Sequence, residues 1–232
     1  MLVKNWMSQT VVTLDENDSM SQAIKLMKEK KIRMLPVLKN GKLAGIVTDR
    51  DLKRASASDA TALDVHEMLY LLDKVNLKTI MTKDPITVPL DHTVEETAEI
   101  LLKNKISGVP VVDDSGVVMG TITQTDLFKV IISLTGIGKK GIQFAFQVED
   151  RPGSIREIAD IIRTHGGRLV SILSSYDNVP DGFRKVYIRI YDIERPLLHV
   201  LEEELMAAAQ LLYLVDHREN VRMIVAPQNT QG

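Results

Sequence analysis

The chain contains no cysteine. Disulfides, thiolate nucleophiles and cysteine-ligated metals are thereby excluded. Aromatic residues make up 4% of the 232 residues, with a single tryptophan, too few for platforms that stack nucleic-acid bases. Neither sign of charge dominates. Lys and Arg number 29 and Asp and Glu 31, a net charge of −2, so no bulk attraction to nucleic acid or to anionic lipid is expected. Long apolar runs are missing as well. The longest, Leu205 to Val215, is interrupted by Gln210 and is far short of the ~20 residues that span a bilayer. The N-terminus, M-L-V-K-N-W-M-S-Q, carries no apolar h-region of a secretory signal. Together these features predict a cytoplasmic protein with no membrane or nucleic-acid partner.

Catalytic signatures are equally scarce. The five histidines (His66, His92, His165, His199, His217) are scattered, and no H-E-x-x-H or G-x-S-x-G occurs. The segment Thr135 to Gly141 (T-G-I-G-K-K-G) lacks the glycine spacing and the following Ser or Thr of a phosphate-binding loop. The expectation is a protein that is not an enzyme, with no metal and no catalytic cofactor.

What the sequence does contain is ordinary globular material, 44% hydrophobic and 26% charged, in a length that suggests two modules. The first half repeats itself. Met7 matches Met81, Thr13 matches Thr87, Lys31-Ile32 matches Lys105-Ile106, and Pro36-Val37 matches Pro110-Val111, all 74 positions apart. Gly41 and Gly116, Gly45 and Gly120, Thr48 and Thr123, and Asp51-Leu52 and Asp126-Leu127 follow at a spacing of 75. One extra residue in the turn Asp113 to Gly116 accounts for the change.

Each copy reads as β-α-β-β-α. The extended segments T-V-V-T-L and P-I-T-V-P lead to helix starts marked by capping boxes, Ser19 with Gln22 and Thr93 with Glu96. Apolar residues recur at helical spacing after each (Met20, Ala23, Ile24, Met27; Val94, Ala98, Leu101). L-P-V-L and V-P-V-V are strands, followed by a hairpin turn at Asn40-Gly41 or Ser115-Gly116 and a second strand that ends at a new helix. The boundaries are residues 1–60 and 79–134, with a connecting helix over 61–78.

This repeat resembles the CBS domain, and the two copies resemble a CBS pair, or Bateman module. The resemblance rests on G-h-h-T-x-x-D, present as G-I-V-T-D-R-D (Gly45 to Asp51) and G-T-I-T-Q-T-D (Gly120 to Asp126), each preceded by h-P-V.

The fingerprint has a physical rationale. Gly45 and Gly120 let a ligand or a neighbouring backbone approach closely. Thr48 and Thr123 sit at helix N-termini, where free N–H groups and the dipole favour a phosphate. Asp51 and Asp126 suit the hydroxyls of a ribose. Thr and Asp before a helix are also ordinary N-caps, each worth about 1 kcal/mol. The resemblance implies AMP, ADP, ATP or S-adenosylmethionine in a cleft between the repeats. It places adenine against Val11, Val12, Pro85 and Ile86 of the first strands, with Leu35 and Val109 lining the cleft. The second turn is the better site, since Thr123 and Thr125 offer two hydroxyls beside Asp126. At the first, Arg33, Arg50, Lys53 and Arg54 are candidates to meet a polyphosphate, or are simply a solvated basic face.

After the linker 135–141, residues 142–217 read as βαββαβ, a ferredoxin-like sandwich. Ile142 to Val148, Arg168 to Ser175, Phe183 to Tyr191 and Leu211 to Val215 are its strands. A helix starts at Ser154, with Glu157 as a third capping box, and a second has Pro196 at N1. The tail 218–232 holds one further candidate strand. D-R-P-G (Asp150 to Gly153) before the capped helix resembles the ACT domain, which implies amino-acid binding at Asp150, Pro152, Gly153 and Ser154, or a mere chain turn. The order CBS–CBS–ACT resembles acetoin-utilisation-type bacterial proteins. The fold class is thus α/β (α+β). The expected function is allosteric sensing by a homodimer or higher oligomer that regulates a partner the sequence does not name. The alternative is a ligand-independent adaptor.

Overall fold

The computed structural model describes residues 1–58, 70 and 72–225. The chain divides into two units, Met1–Phe128 and Lys129–Gly232. This division falls inside a helix, ahead of the glycine-rich segment expected as the boundary. Most of the expected connecting helix over 61–78, and the end of the tail from 226, lie outside the described residues.

In the first unit the order is β1 (Leu14–Asp15), α1 (Met20–Lys30), β2 (Met34–Lys39), β3 (Lys42–Thr48), α2 (Asp49–Ser58), α3 (Leu77–Ile80) and β4 (Thr82–Lys83). Then come β5 (Val88–Pro89), α4 (Val94–Asn104), β6 (Gly108–Val112), β7 (Val118–Thr123) and α5 (Gln124–Thr135). Both expected capping boxes form at α1 and α4. Asn40 and Gly41 both take positive φ, so β2 and β3 join through a tight turn that only such residues enter cheaply. In the second copy Asp113 Oδ1 accepts from the backbone N–H groups of Ser115 and Val117, both at 2.9 Å. The extra residue is accommodated there.

The leading strands are shorter than expected. Of T-V-V-T-L and P-I-T-V-P, only Leu14 and Val88-Pro89 belong to regular strands, so Val11, Val12, Pro85 and Ile86 precede the sheets. The sheets also contain something the repeat pattern does not announce. β1 pairs parallel to β2 and β2 antiparallel to β3, but β3 is flanked by β4, which comes from ahead of the second copy. Reciprocally, Ser8 bridges Thr121 of β7, and Val3 N–H donates to His92 at 2.8 Å. Each copy is completed by the segment that precedes the other.

The matched glycines make this exchange possible. A Cβ on Gly45 would lie 2.7 Å from both Met81 Sδ and the Thr82 carbonyl, and one on Gly120 would lie 2.5 Å from the Ser8 carbonyl and 2.9 Å from Met7 Sδ. Of the two sequence-based readings of these glycines, close approach of a neighbouring backbone is the one seen. Two cores result. Met20, Ala23, Met27, Leu35, Val37, Val47, Leu52 and Leu77 form the first, and Val3, Val88, Leu101, Val109, Val111 and Ile122 the second.

The second unit contains β8 (Ile142–Glu149), α6 (Ser154–Thr164), β9 (Arg168–Ser175), β10 (Phe183–Tyr191), α7 (Arg195–Ala208), β11 (Gln210–Asp216) and β12 (Val221–Ile224). The antiparallel sheet has the order β12-β11-β8-β10-β9. Without the added edge strand β12, this is a ferredoxin-like arrangement. Phe144, Phe146, Ile188 and Ile190 from the sheet pack with Ile158, Ile162, Leu201 and Leu205 from the two helices. The helices therefore share one face.

The third capping box does not form. Gly153, at φ +91°, is the N-cap of α6, and no side chain caps it. Arg151 instead takes both carboxylate oxygens of Glu157, at 2.8 and 2.7 Å, and Ser154 is buried as the first helical residue. α7 starts at Arg195, one residue before Pro196.

Candidate functional site

The two fingerprint turns are built alike. Thr48 ends β3 and Asp49, Arg50 and Asp51 form the first turn of α2. Asp51 Oδ2 accepts from Thr48 Oγ1 at 2.6 Å and from Thr48 N–H at 3.0 Å. The Asp51 N–H returns a bond to Thr48 Oγ1 at 3.3 Å. In the second copy Asp126 Oδ2 accepts from Thr123 Oγ1 at 2.7 Å and from Thr123 N–H at 3.0 Å. This is the geometry of a capping box with aspartate in the third position. Each carboxylate thus positions a threonine hydroxyl at a helix N-terminus, where the dipole favours negative charge.

The turns differ in their surroundings. Asp51 is half-buried, and its Oδ1 accepts from the exposed Arg54 at 2.9 Å. Asp126 is only 7% exposed. Arg33 and Arg50 are exposed, and the main chain of Arg33 touches the first turn, its carbonyl accepting from Asp49 N–H at 3.0 Å. At the corresponding places the second copy has Ser107 and Thr125, both exposed, with the Ser107 carbonyl accepting from Gln124 N–H at 2.9 Å. Arg33 and Arg50 beside one turn therefore correspond to the hydroxyl-bearing Ser107 and Thr125 beside the other.

The expected apolar lining is only partly available. Ile86 is 40% exposed, and Val11, Val12 and Pro85 are half-buried. Leu35 and Val109 are fully buried in the two cores. They pack under the sheets and do not line a cleft, because β2 and β6 are covered by helices on the side these residues face.

A family model for the CBS domain matches residues 3–58 and 77–133. A CBS domain-containing protein of Dictyostelium discoideum is 32% identical over 134 residues, 57% of this chain and 92% of its own length. The chain belongs to the CBS-domain family. Among solved structures, a Vibrio cholerae protein assigned to acetoin utilization is 29% identical, with a TM-score of 0.50 over 61% of this chain and 97% of that one. A CBS domain pair solved with 5′-methylthioadenosine and S-adenosyl-L-methionine is 33% identical over 56% of this chain and 95% of its own, with a TM-score of 0.49. Among the described residues no cluster of His, Asp or Glu could hold a metal, and no helix is long and apolar enough to cross a membrane.

The D-R-P-G loop is the other expected site. Asp150, Pro152 and Gly153 are exposed. Of the four expected residues, only Ser154 lines the adjacent groove of about 290 Å³, together with Gln147, Arg151, Glu157 and Phe183. Sequence reading missed Arg184. Its guanidinium donates to Ser154 Oγ at 3.2 Å, and its Nε lies 3.5 Å from Asp150 Oδ1, buried without a hydrogen bond. Nothing in the alternation of F-R-K-V-Y-I-R-I-Y marks it out from the other polar positions.

Proposed function

We propose that the chain is a non-catalytic cytoplasmic sensor whose CBS pair takes an adenosine-containing ligand (AMP, ADP, ATP or S-adenosylmethionine). The observation that carries this reading is the twice-built Thr–Asp turn at the mouth of a helix. Threonine supplies a hydroxyl for a phosphate and aspartate a carboxylate for a ribose. The second turn, with Thr123, Thr125 and Asp126, is the principal site. Val12, Pro85 and Ile86 are accessible enough to meet an adenine.

In the same reading the C-terminal unit is an ACT-type domain. Its candidate ligand is an amino acid, whose carboxylate Arg184 is placed to meet beside Asp150 and Ser154. The protein works as a homodimer or larger assembly, in keeping with Phe128, Ile131 and Ile132 of α5 standing more than half exposed. It regulates a partner protein.

One observation favours an adaptor without ligand: each Asp Oδ2 is already engaged by its threonine, and Arg54 holds Asp51 Oδ1. A thermal-shift panel on the whole chain separates the two. A ligand at 100 times its Kd adds about 2.7 kcal/mol, a rise of roughly 5–10 °C for a protein of this size. A rise with one adenosine compound, lost in Asp126→Ala, supports the sensor. No rise with any adenosine compound or amino acid leaves the adaptor.

A further inference from the structure

The helix that opens at the second turn ends on a buried cation. α5 has 12 residues, a length of about 18 Å. Its last residue, Thr135, offers its carbonyl to Arg189 Nε at 2.7 Å and to Ser171 Oγ at 3.1 Å. Arg189 is 3% exposed and projects from β10 on the face opposite α6 and α7. Its other nitrogens donate to the Lys140 carbonyl at 3.0 Å and to Gln143 Oε1 at 2.5 Å. Among the described residues no carboxylate pairs with it. Burial holds its pKa below the ordinary arginine value.

A buried guanidinium without a carboxylate is costly unless every donor is matched. Here the matching groups are carbonyls, one of them at the negative end of a helix dipole. Two of the three acceptors, Thr135 and Lys140, belong to the segment that leads into the second unit. That segment is pressed close. A Cβ on Gly136 (φ +63°) would lie 2.1 Å from Val170 Cγ1, and one on Gly141 (φ +59°) 2.0 Å from the Ile190 carbonyl. Arg189 can therefore stay buried only while α5 ends at Thr135 and the segment keeps this path. If the helix end frays, two acceptors leave together.

We propose that Arg189 is a positioning residue through which the C-terminal sheet senses the state of α5. This rests on the sensor reading above. A ligand at Thr123 and Asp126 firms the start of α5, the helix end holds more strongly at Thr135, and Arg189 passes that order to β10. The device needs two states of one element biased from both ends: the helix end clamped, and the helix end frayed.

Hydrogen exchange on the full chain tests it, with AMP and S-adenosylmethionine as probes. Arg189→Met removes the charge; Arg189→Lys keeps it without the fork and serves if the first variant misfolds. Without ligand, peptides over 136–143 should exchange about tenfold faster in either variant, with β6 and β7 unchanged. Asp126→Ala, which loosens the other end of α5, should also speed 136–143, by about threefold. With a probe that protects 120–127, the wild type should slow at 136–143 and over β10, whereas Arg189→Met should keep the first protection and lose the second. Equal exchange at 136–143 in wild type and both Arg189 variants overturns the proposal, as does transmission that survives in Arg189→Met. If no probe protects 120–127, the sensor reading fails. The ligand-free comparison with Asp126→Ala then decides the coupling: unchanged exchange at 136–143 refutes it.

Discussion

Gly120→Ala should destabilise the protein although it adds one methyl group to an ordinary strand position. The added Cβ would lie 2.5 Å from the Ser8 carbonyl and 2.9 Å from Met7 Sδ, well inside the 3.5–4.0 Å at which such atoms attract. The Ser8 oxygen cannot step aside freely, because it accepts from Thr121 N–H at 3.2 Å while Ser8 N–H donates to Thr121 at 2.9 Å. Relieving the clash means lifting the N-terminal segment from β7, and overpacking of this kind costs about 1–3 kcal/mol. The gain from a stiffer unfolded chain, about 0.4–1 kcal/mol, offsets part of that. The net loss of about 1–2 kcal/mol corresponds to a drop in Tm of roughly 2–8 °C. Gly138→Ala is the matched control, since a Cβ there meets nothing within 4 Å. Thermal unfolding followed by circular dichroism, with Trp6 fluorescence reporting on the segment itself, measures both. A Gly120→Ala protein as stable as Gly138→Ala would refute the argument that this glycine exists to seat the exchanged segment.

Further outcomes follow from the same geometry. Met81→Ala in a Gly45→Ala background should recover only part of the loss, because the Thr82 carbonyl stays 2.7 Å from the new Cβ; full recovery in urea melts would show the backbone to be more pliant than argued. Thr48→Ala and Thr123→Ala should each cost about 1 kcal/mol by removing a cap, read as a lower urea midpoint at unchanged slope. Asp216 is buried in the second unit between Arg195, at 3.1 Å, and Arg218, at 3.5 Å. Burial raises its pKa, but the Arg218 N–H and the two guanidinium groups outweigh this and hold it below 3.8. A lowered folded-state pKa gives stability that is present above the unfolded value and lost as pH falls through the folded one. Asp216→Asn should therefore cost about 1.5 kcal/mol at neutral pH, the scale of lost hydrogen bonds to a charged group, and flatten the stability profile below pH 4. An unaltered acid limb in pH-dependent melts would rule out that assignment.

Much of this architecture can be read from residues. Asn40-Gly41, the Ser19 and Thr93 caps and the alternation in β10 are local chemistry, and local chemistry carries most of the secondary structure. What the repeat concealed was partnership. Met7 and Met81 match each other at a spacing of 74, yet each packs on the other copy's glycine, a non-local exchange that no periodicity reports. The family resemblance implied that Leu35 and Val109, each just ahead of a repeated proline, line a cleft; their place in the pleat turns them into the cores. Ser154 failed as a cap because Gly153 can take φ +91° and starts the helix one residue sooner. Arg189 and Arg184 were invisible as special positions, since a charged residue in an alternating strand ordinarily faces water.

If the second Thr–Asp turn holds an adenosine ligand, the binding must depend on Asp126. Isothermal titration of the wild type, Asp51→Asn and Asp126→Asn with AMP, ADP, ATP and S-adenosylmethionine measures this. At least one of them should bind saturably to the wild type, with binding weakened at least tenfold, or about 1.4 kcal/mol, in a folded Asp126→Asn protein and less in Asp51→Asn. No heat from any of the four with folded wild-type protein, or binding that neither substitution alters, would contradict it.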